Sequence, residues 1–146
     1  MNNSNAQMVE ILLVEDDQDD VFLTKKAFEQ QKVTNNLHIV RDGVDAMEFL
    51  RREGEYTDAP RPDIVLLDLN LQKMDGDEVL EKMRADDDLK TIPVVVLTSS
   101  EAEEDVVRSY ELNANAYLTK PVDFDGFLNV VDSIEHFWVS FVKLPT

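Results

Sequence analysis

Five short apolar runs set the limits on what this chain can fold into. They read VEILLVE, LHIVR, DIVLLDL, IPVVVLT and AYLTK, each of strand length and rich in Val, Ile and Leu. A strand with one wet face alternates apolar and polar residues, because successive side chains point to opposite faces. These runs are nearly continuous instead, the texture of strands covered on both faces in a parallel sheet. Parallel neighbours need crossover connections, so the segments between them should be helices. Their spacing agrees. Leu23, Ala27 and Phe28 fall on one side of a first helix, Val44, Met47 and Leu50 on one side of a second, and Val79, Leu80 and Met83 on one side of a third. Val106, Val107 and Tyr110 mark a fourth, and the last runs from about Asp123 past Phe141. Five strands alternating with five helices predict an α/β fold, a doubly wound five-stranded parallel sheet with helices on both faces.

Residues 9–146 have room for one domain, and residues 1–8, MNNSNAQM, are expected to be a mobile tail. No repeat or low-complexity tract interrupts the pattern, and EGEYTDAPRP reads as a loop. Charge narrows the function. With 31 acids against 14 bases and a net charge of −17, a general affinity for nucleic acid or an anionic membrane is not expected. Basic protein surfaces and metal ions are the partners such a chain attracts. The absence of cysteine rules out a disulfide framework and a thiolate metal site. The first residues lack the charged and apolar regions of a signal peptide, and no apolar run reaches the length of a membrane span. A cytoplasmic protein is the expectation.

In an open parallel sheet, ligands bind outside the carboxyl ends of the strands, near the switch in strand order. The first strand delivers Glu15 and Asp16 there, and the third delivers Asp68, with Asn70 just beyond. The fourth delivers Thr98, followed by Ser99 and Ser100, and the fifth delivers Lys120, followed by Pro121. Carboxylate and carbonyl oxygens suit a hard cation such as Mg²⁺, while a lysine and a hydroxyl suit phosphoryl oxygens. An aspartate beside both can accept a phosphoryl group as an acyl phosphate. Each residue alone has a plainer reading: Asp16 as a helix N-cap, Thr98 as a residue that favours β geometry, Tyr117 as core, Lys120 as surface. The plain readings do not explain why all of them share one edge. Asp17, Asp19 and Asp20 are read apart from this group, as charges that complement the start of the first helix and face water. Asp75–Gly76 is a turn pair with a capping role, and His38 and His136 have no partner at metal-ligand spacing.

The acidic pair Glu15–Asp16, the stretch LLDLNLQKMDGDEVL, VVVLTSS and AYLTKP together resemble the receiver domain of two-component response regulators. The likeness spans nearly the whole chain from about Val9. The loop GEYTDAPRPD, with YELNANAYLTKP and IEHFW, further resembles the regulators paired with cyanobacterial phytochrome histidine kinases. The resemblance implies a flavodoxin-like sheet of receiver type, acting as a stand-alone phosphoacceptor and not as an enzyme. It implies that Asp68 takes the phosphoryl group from a sensor histidine kinase. Asp16, Asp68 and the backbone carbonyl of Asn70 would bind Mg²⁺ directly, with Glu15 acting through water. Lys120 would pair with Asp68 and then with a phosphoryl oxygen, Thr98 would hydrogen-bond the phosphoryl group, and Tyr117 would swing inward behind it. The resemblance also suggests a cis Lys120–Pro121 bond. Two departures stand out: Gln72 where receivers commonly carry proline, and Asn113 where many carry glycine.

Phe124, Phe127, Leu128, Val130, Val131, Ile134, Phe137, Trp138 and Phe141 are more apolar positions than one buried stripe requires. A second face with Phe137, Trp138 and Phe141 is expected to pack against a twin chain or a kinase, and a homodimer is favoured. Two rival functions are a small Mg²⁺-dependent phosphohydrolase with an aspartyl nucleophile and a non-phosphorylated interaction module on the same fold. The first usually needs a second aspartate two residues after the nucleophile as general acid. Here that position is Asn70, which cannot serve.

Overall fold

The computed structural model describes residues 9–31, 35–69, 71, 73–98, 116–121 and 123–137, with Thr98, Tyr117 and Phe137 described by their backbone alone. All five expected strands are present: β1 (Val9–Val14), β2 (Asn35–Val40), β3 (Ile64–Asp68), β4 (Val94–Thr98) and β5 (Ala116–Thr119). They pair parallel throughout in the order β2-β1-β3-β4-β5. The order reverses between β1 and β3, which makes the ends of those two strands the switch point.

Four helices flank the sheet among the described residues: α1 (Gln18–Glu29), α2 (Gly43–Arg51), α3 (Gly76–Ala85) and α4 (Phe124–Phe137). A short 3-10 turn, Gly54–Tyr56, sits inside the segment read from sequence as plain loop. The expected helix at Val106, Val107 and Tyr110 lies outside the described residues, as do residues 1–8 and the chain beyond Phe137.

Period-two alternation divides the strands between two cores. Leu12, Val14, Val65, Leu67, Val94 and Val96 face one way and pack with Met47 and Leu50 of α2 and Val79, Leu80 and Met83 of α3. Ile11, Leu13, Ile64, Leu66 and Val95 face the other way and pack with Val21, Ala27 and Phe28 of α1 and Phe127, Val131 and Ile134 of α4. That double coverage is why the runs read as continuous rather than alternating. Leu12, Leu66, Leu67, Leu80 and Met83 are fully buried, each contributing about 1.5–3 kcal/mol of hydrophobic stabilisation. Val44 departs from its expected place on the buried face of α2 and lies exposed near that helix's start. Gly43 occupies the close approach instead, since a Cβ there would come 2.0 Å from the Met74 carbonyl oxygen.

Candidate functional site

Register brings the acids together. Val14 stands opposite Leu67 and Asp68 opposite Leu97, so Glu15 and Asp68 come at the same level as the chain leaves β1 and ends β3. Glu15 remains tied to the sheet through its N–H, which donates to the Val40 carbonyl at 3.0 Å. Carboxylate oxygens of Glu15, Asp16 and Asp68 all lie within 4.8 Å of one another, with Glu15 and Asp68 buried and Asp16 half-buried. Three carboxylates this close repel unless a cation sits among them.

One cation of the protein's own is there. The Lys120 ammonium, just past β5, lies 2.8 Å from Glu15 Oε1, 3.0 Å from Asp68 Oδ2 and 2.9 Å from Asp20 Oδ2. Burial works against its charge, but the hydrogen bonds to Glu15, Asp20 and Asp68 outweigh this and hold its pKa above the ordinary lysine value. For Glu15, burial dominates in the other direction. Removal from water pushes its carboxyl up to about 8, Lys120 pulls it back, and the neighbouring Asp68 raises it again. No cis peptide bond occurs among the described residues, which include Lys120 and Pro121, so the suggested cis bond is not found. The lysine reaches Asp68 without it.

Local geometry corrects the division of the acids at the start of α1. Asp17, not Asp16, is the N-cap: its Oδ1 accepts from the N–H groups of Asp19 and Asp20 at 2.9 and 3.0 Å. Its own N–H donates to Glu15 Oε2 at 3.1 Å, which ties the cap to the site. Asp19 is exposed, as expected, but Asp20 pairs with Lys120 rather than facing water alone. One turn of helix carries Asp20 from the cap to the lysine across a separation of 100 residues in sequence, and no local signal in the chain reports that distance.

The loop after Asp68 is held from behind. Gly76 opens α3 so close to the strand end that a Cβ would lie 2.3 Å from the Asp68 carbonyl oxygen. Its N–H donates to the Leu69 carbonyl at 3.2 Å. Asp75 occupies the N-cap position of α3 but makes no side-chain capping hydrogen bond. Asp42, a buried acid the spacing did not single out, caps α2 by accepting from the Asp45 N–H at 2.8 Å and meets Lys73 Nζ at 3.5 Å.

The remaining expected site residues are placed less fully. Thr98 ends β4 opposite Thr119, and Tyr117 lies opposite Val96, both known by backbone position. Asn70, Trp138 and Phe141 lie outside the described residues, and Phe137 is the last described residue of α4. Of the two histidines, His38 shares a 2.7 Å contact between its Nε2 and Glu10 Oε1, far from the acid cluster along β1.

The parallel sheet, in the order 2-1-3-4-5, is of the receiver type expected from the sequence, and at its switch point two buried carboxylates and a half-buried third lie beside a lysine. Residues 11–132 match the response regulator receiver domain, and the chain belongs to that family. It is 49% identical over 144 residues to the response regulator Rcp1 of Synechocystis sp. (strain ATCC 27184 / PCC 6803 / Kazusa), an alignment covering 99% of this chain and 97% of that protein. Its fold superposes on the Mn²⁺-bound form of Rcp1 with a TM-score of 0.83 at 48% identity, covering 94% of this chain and 99% of that one. The phosphorylated cyanobacterial phytochrome response regulator RcpA superposes with a TM-score of 0.85 at 46% identity, over 95% of this chain and 99% of that one. The chain is thus a response regulator receiver related to phytochrome response regulators and belongs to two-component signalling. Among the described residues, no helix is long and apolar enough to cross a membrane.

Proposed function

We propose that this chain is a stand-alone response regulator that accepts a phosphoryl group from a sensor histidine kinase on Asp68, with Mg²⁺ in the acid cluster. The observation that carries the reading is Asp68 itself, buried at a strand end, 3.0 Å from Lys120 and within the carboxylate trio. Three oxygen donors of hard type in one cluster fit a hard divalent cation. Glu15, Asp16 and Asp68 would hold it, with the carbonyl of Asn70, and the Mn²⁺-bound form of a relative this similar supports the assignment. When bound, Mg²⁺ supplies charge neutralisation for the incoming phosphoryl oxygens.

The protein's own groups do the rest. An Asp68 carboxylate oxygen attacks phosphorus, the bond to the donor's imidazole nitrogen breaks, and its electron pair stays on that nitrogen. Lys120 neutralises charge beside Asp68 before the transfer and meets a phosphoryl oxygen after it. Thr98 at the end of β4 supplies a hydroxyl to the phosphoryl group, and Tyr117 of β5 follows it inward. Such a charge change biases a two-state loop and so alters a binding surface. The relatives support a phytochrome-type kinase as donor. A homodimer formed through Phe137, Trp138 and Phe141 is the contact through which the chain signals.

The test is Mg²⁺-dependent labelling by a small acyl phosphate or a phosphorylated kinase. Wild-type protein takes up one acid- and base-labile phosphoryl group, and Asp68→Asn takes up none. Equal labelling of the substituted protein would place the phosphoacceptor elsewhere.

A further inference from the structure

A lysine ammonium has three N–H donors, and Lys120 has a carboxylate for each: Glu15, Asp20 and Asp68. Two of these partners also belong to the trio suited to a divalent cation, but Asp20 does not. A cation drawn to Glu15 and Asp68 competes with the ammonium for the same oxygens and repels it. Left with no other partner, a charge on a flexible four-carbon stem would swing out to water.

Asp20 stands outside that contest and is firmly placed. Its N–H is capped by Asp17 at 3.0 Å, and its carbonyl accepts from Thr24 Oγ1 at 2.7 Å. Val21 beside it is buried against the sheet, which fixes this turn of α1 over the strand ends. The Asp20 carboxylate keeps 23% exposure while the Lys120 side chain keeps 14%, so the pair lies at the rim of the site rather than in its floor.

We propose that Asp20 is a positioning residue that retains Lys120 beside Asp68 when a divalent cation takes over Glu15 and Asp68. The inference rests on the phosphoacceptor reading of the site. Asp20 never touches the transferred group; it acts through the lysine, by giving the displaced ammonium one carboxylate it does not share with the cation.

The first measurement needs no phosphoryl transfer. In ¹⁵N-labelled protein, the Lys120 ammonium resonance stays protected from exchange as Mg²⁺ is titrated to saturation. In Asp20→Asn it is protected without Mg²⁺ and lost when Mg²⁺ is added. The second measures phosphorylation by a small acyl phosphate at saturating Mg²⁺, where Asp20→Asn slows the rate about fivefold and Asp20→Glu restores it. Asp19→Asn removes the same charge one residue away, on an exposed side chain, and leaves the rate unchanged. In a Lys120→Ala background, Asp20→Asn adds no further loss. A wild-type or faster rate in Asp20→Asn, or an equal loss with and without Lys120, overturns the proposal. If Asp68→Asn still takes up phosphate, the phosphoacceptor reading fails, and the ammonium resonance continues to decide the role of Asp20.

Discussion

Glu15 sits 1% exposed, with Asp68 on one side and the Lys120 ammonium on the other. Burial raises its carboxyl from the usual 4.5 to about 8, so between those values the folded protein holds a proton that the unfolded chain has released. Its contribution to stability is therefore complete below pH 4.5 and is lost as pH rises through about 8. For the metal-free protein, we expect the melting temperature to fall across this window by about 5 °C more in wild type than in Glu15→Gln. Parallel melting curves of the two proteins from pH 5 to 8.5 would show no need for a buried titrating Glu15. The strand-end acids were legible from sequence because the pair Glu15–Asp16 and Asp68 each close an apolar run, and a parallel sheet aligns such ends. Asp20 was not. Its neighbours Asp17 and Asp19 share its type and its helix turn, and only the spatial path of β5 decides which of the three meets Lys120.

Elements carry these residues through their ends. The Asp17 side chain satisfies two N–H groups that the first turn of α1 leaves without helical partners, and its own N–H reaches Glu15. Asp17→Ala should cost about 1 kcal/mol in urea unfolding with an unchanged slope. The start of α3 is less forgiving. A methyl group at Gly76 meets backbone, the Asp68 carbonyl and Leu69 Cα at 2.3 and 2.7 Å, and no side chain can rotate away to admit it. We expect Gly76→Ala to destabilise by about 1–3 kcal/mol and to slow phosphorylation of Asp68, because the strand end itself must shift. A variant with wild-type stability and labelling would mean that the strand end is not held by this contact. The element pattern shows the same division between legible and hidden. Strand cores were plain from their apolar runs, whereas β2 begins at Asn35 with a polar pair, Asn35 and Asn36, that no hydrophobic signal marks. The turn at Gly54–Tyr56 was hidden for a related reason, being three residues long with no buried face.

At the scale of the whole molecule, the site lies at the ends of the strands that separate the two cores. Leu12 and Val14 of β1 share one layer with Val65 and Leu67 of β3, Ile11 and Leu13 share the other with Ile64 and Leu66, and both strands end in the acid cluster. A cation that binds there requires the native register of β1 and β3 together, so it binds the folded chain and not the unfolded one. Mg²⁺ at about a hundred times its dissociation constant should then add about 2.7 kcal/mol of stability, several degrees in melting temperature. A charge of −17 offers a competing explanation, since any salt relieves self-repulsion in so acidic a chain. The two separate cleanly. Screening is reproduced by NaCl at matched ionic strength and persists in Asp16→Ala and Asp68→Asn. Site binding is specific to the divalent ion, saturates, and shrinks markedly in both variants. If NaCl at equal ionic strength raises the melting temperature as much as MgCl₂ does, the stabilisation belongs to the charge of the whole surface, and the acid cluster has no special hold on the metal.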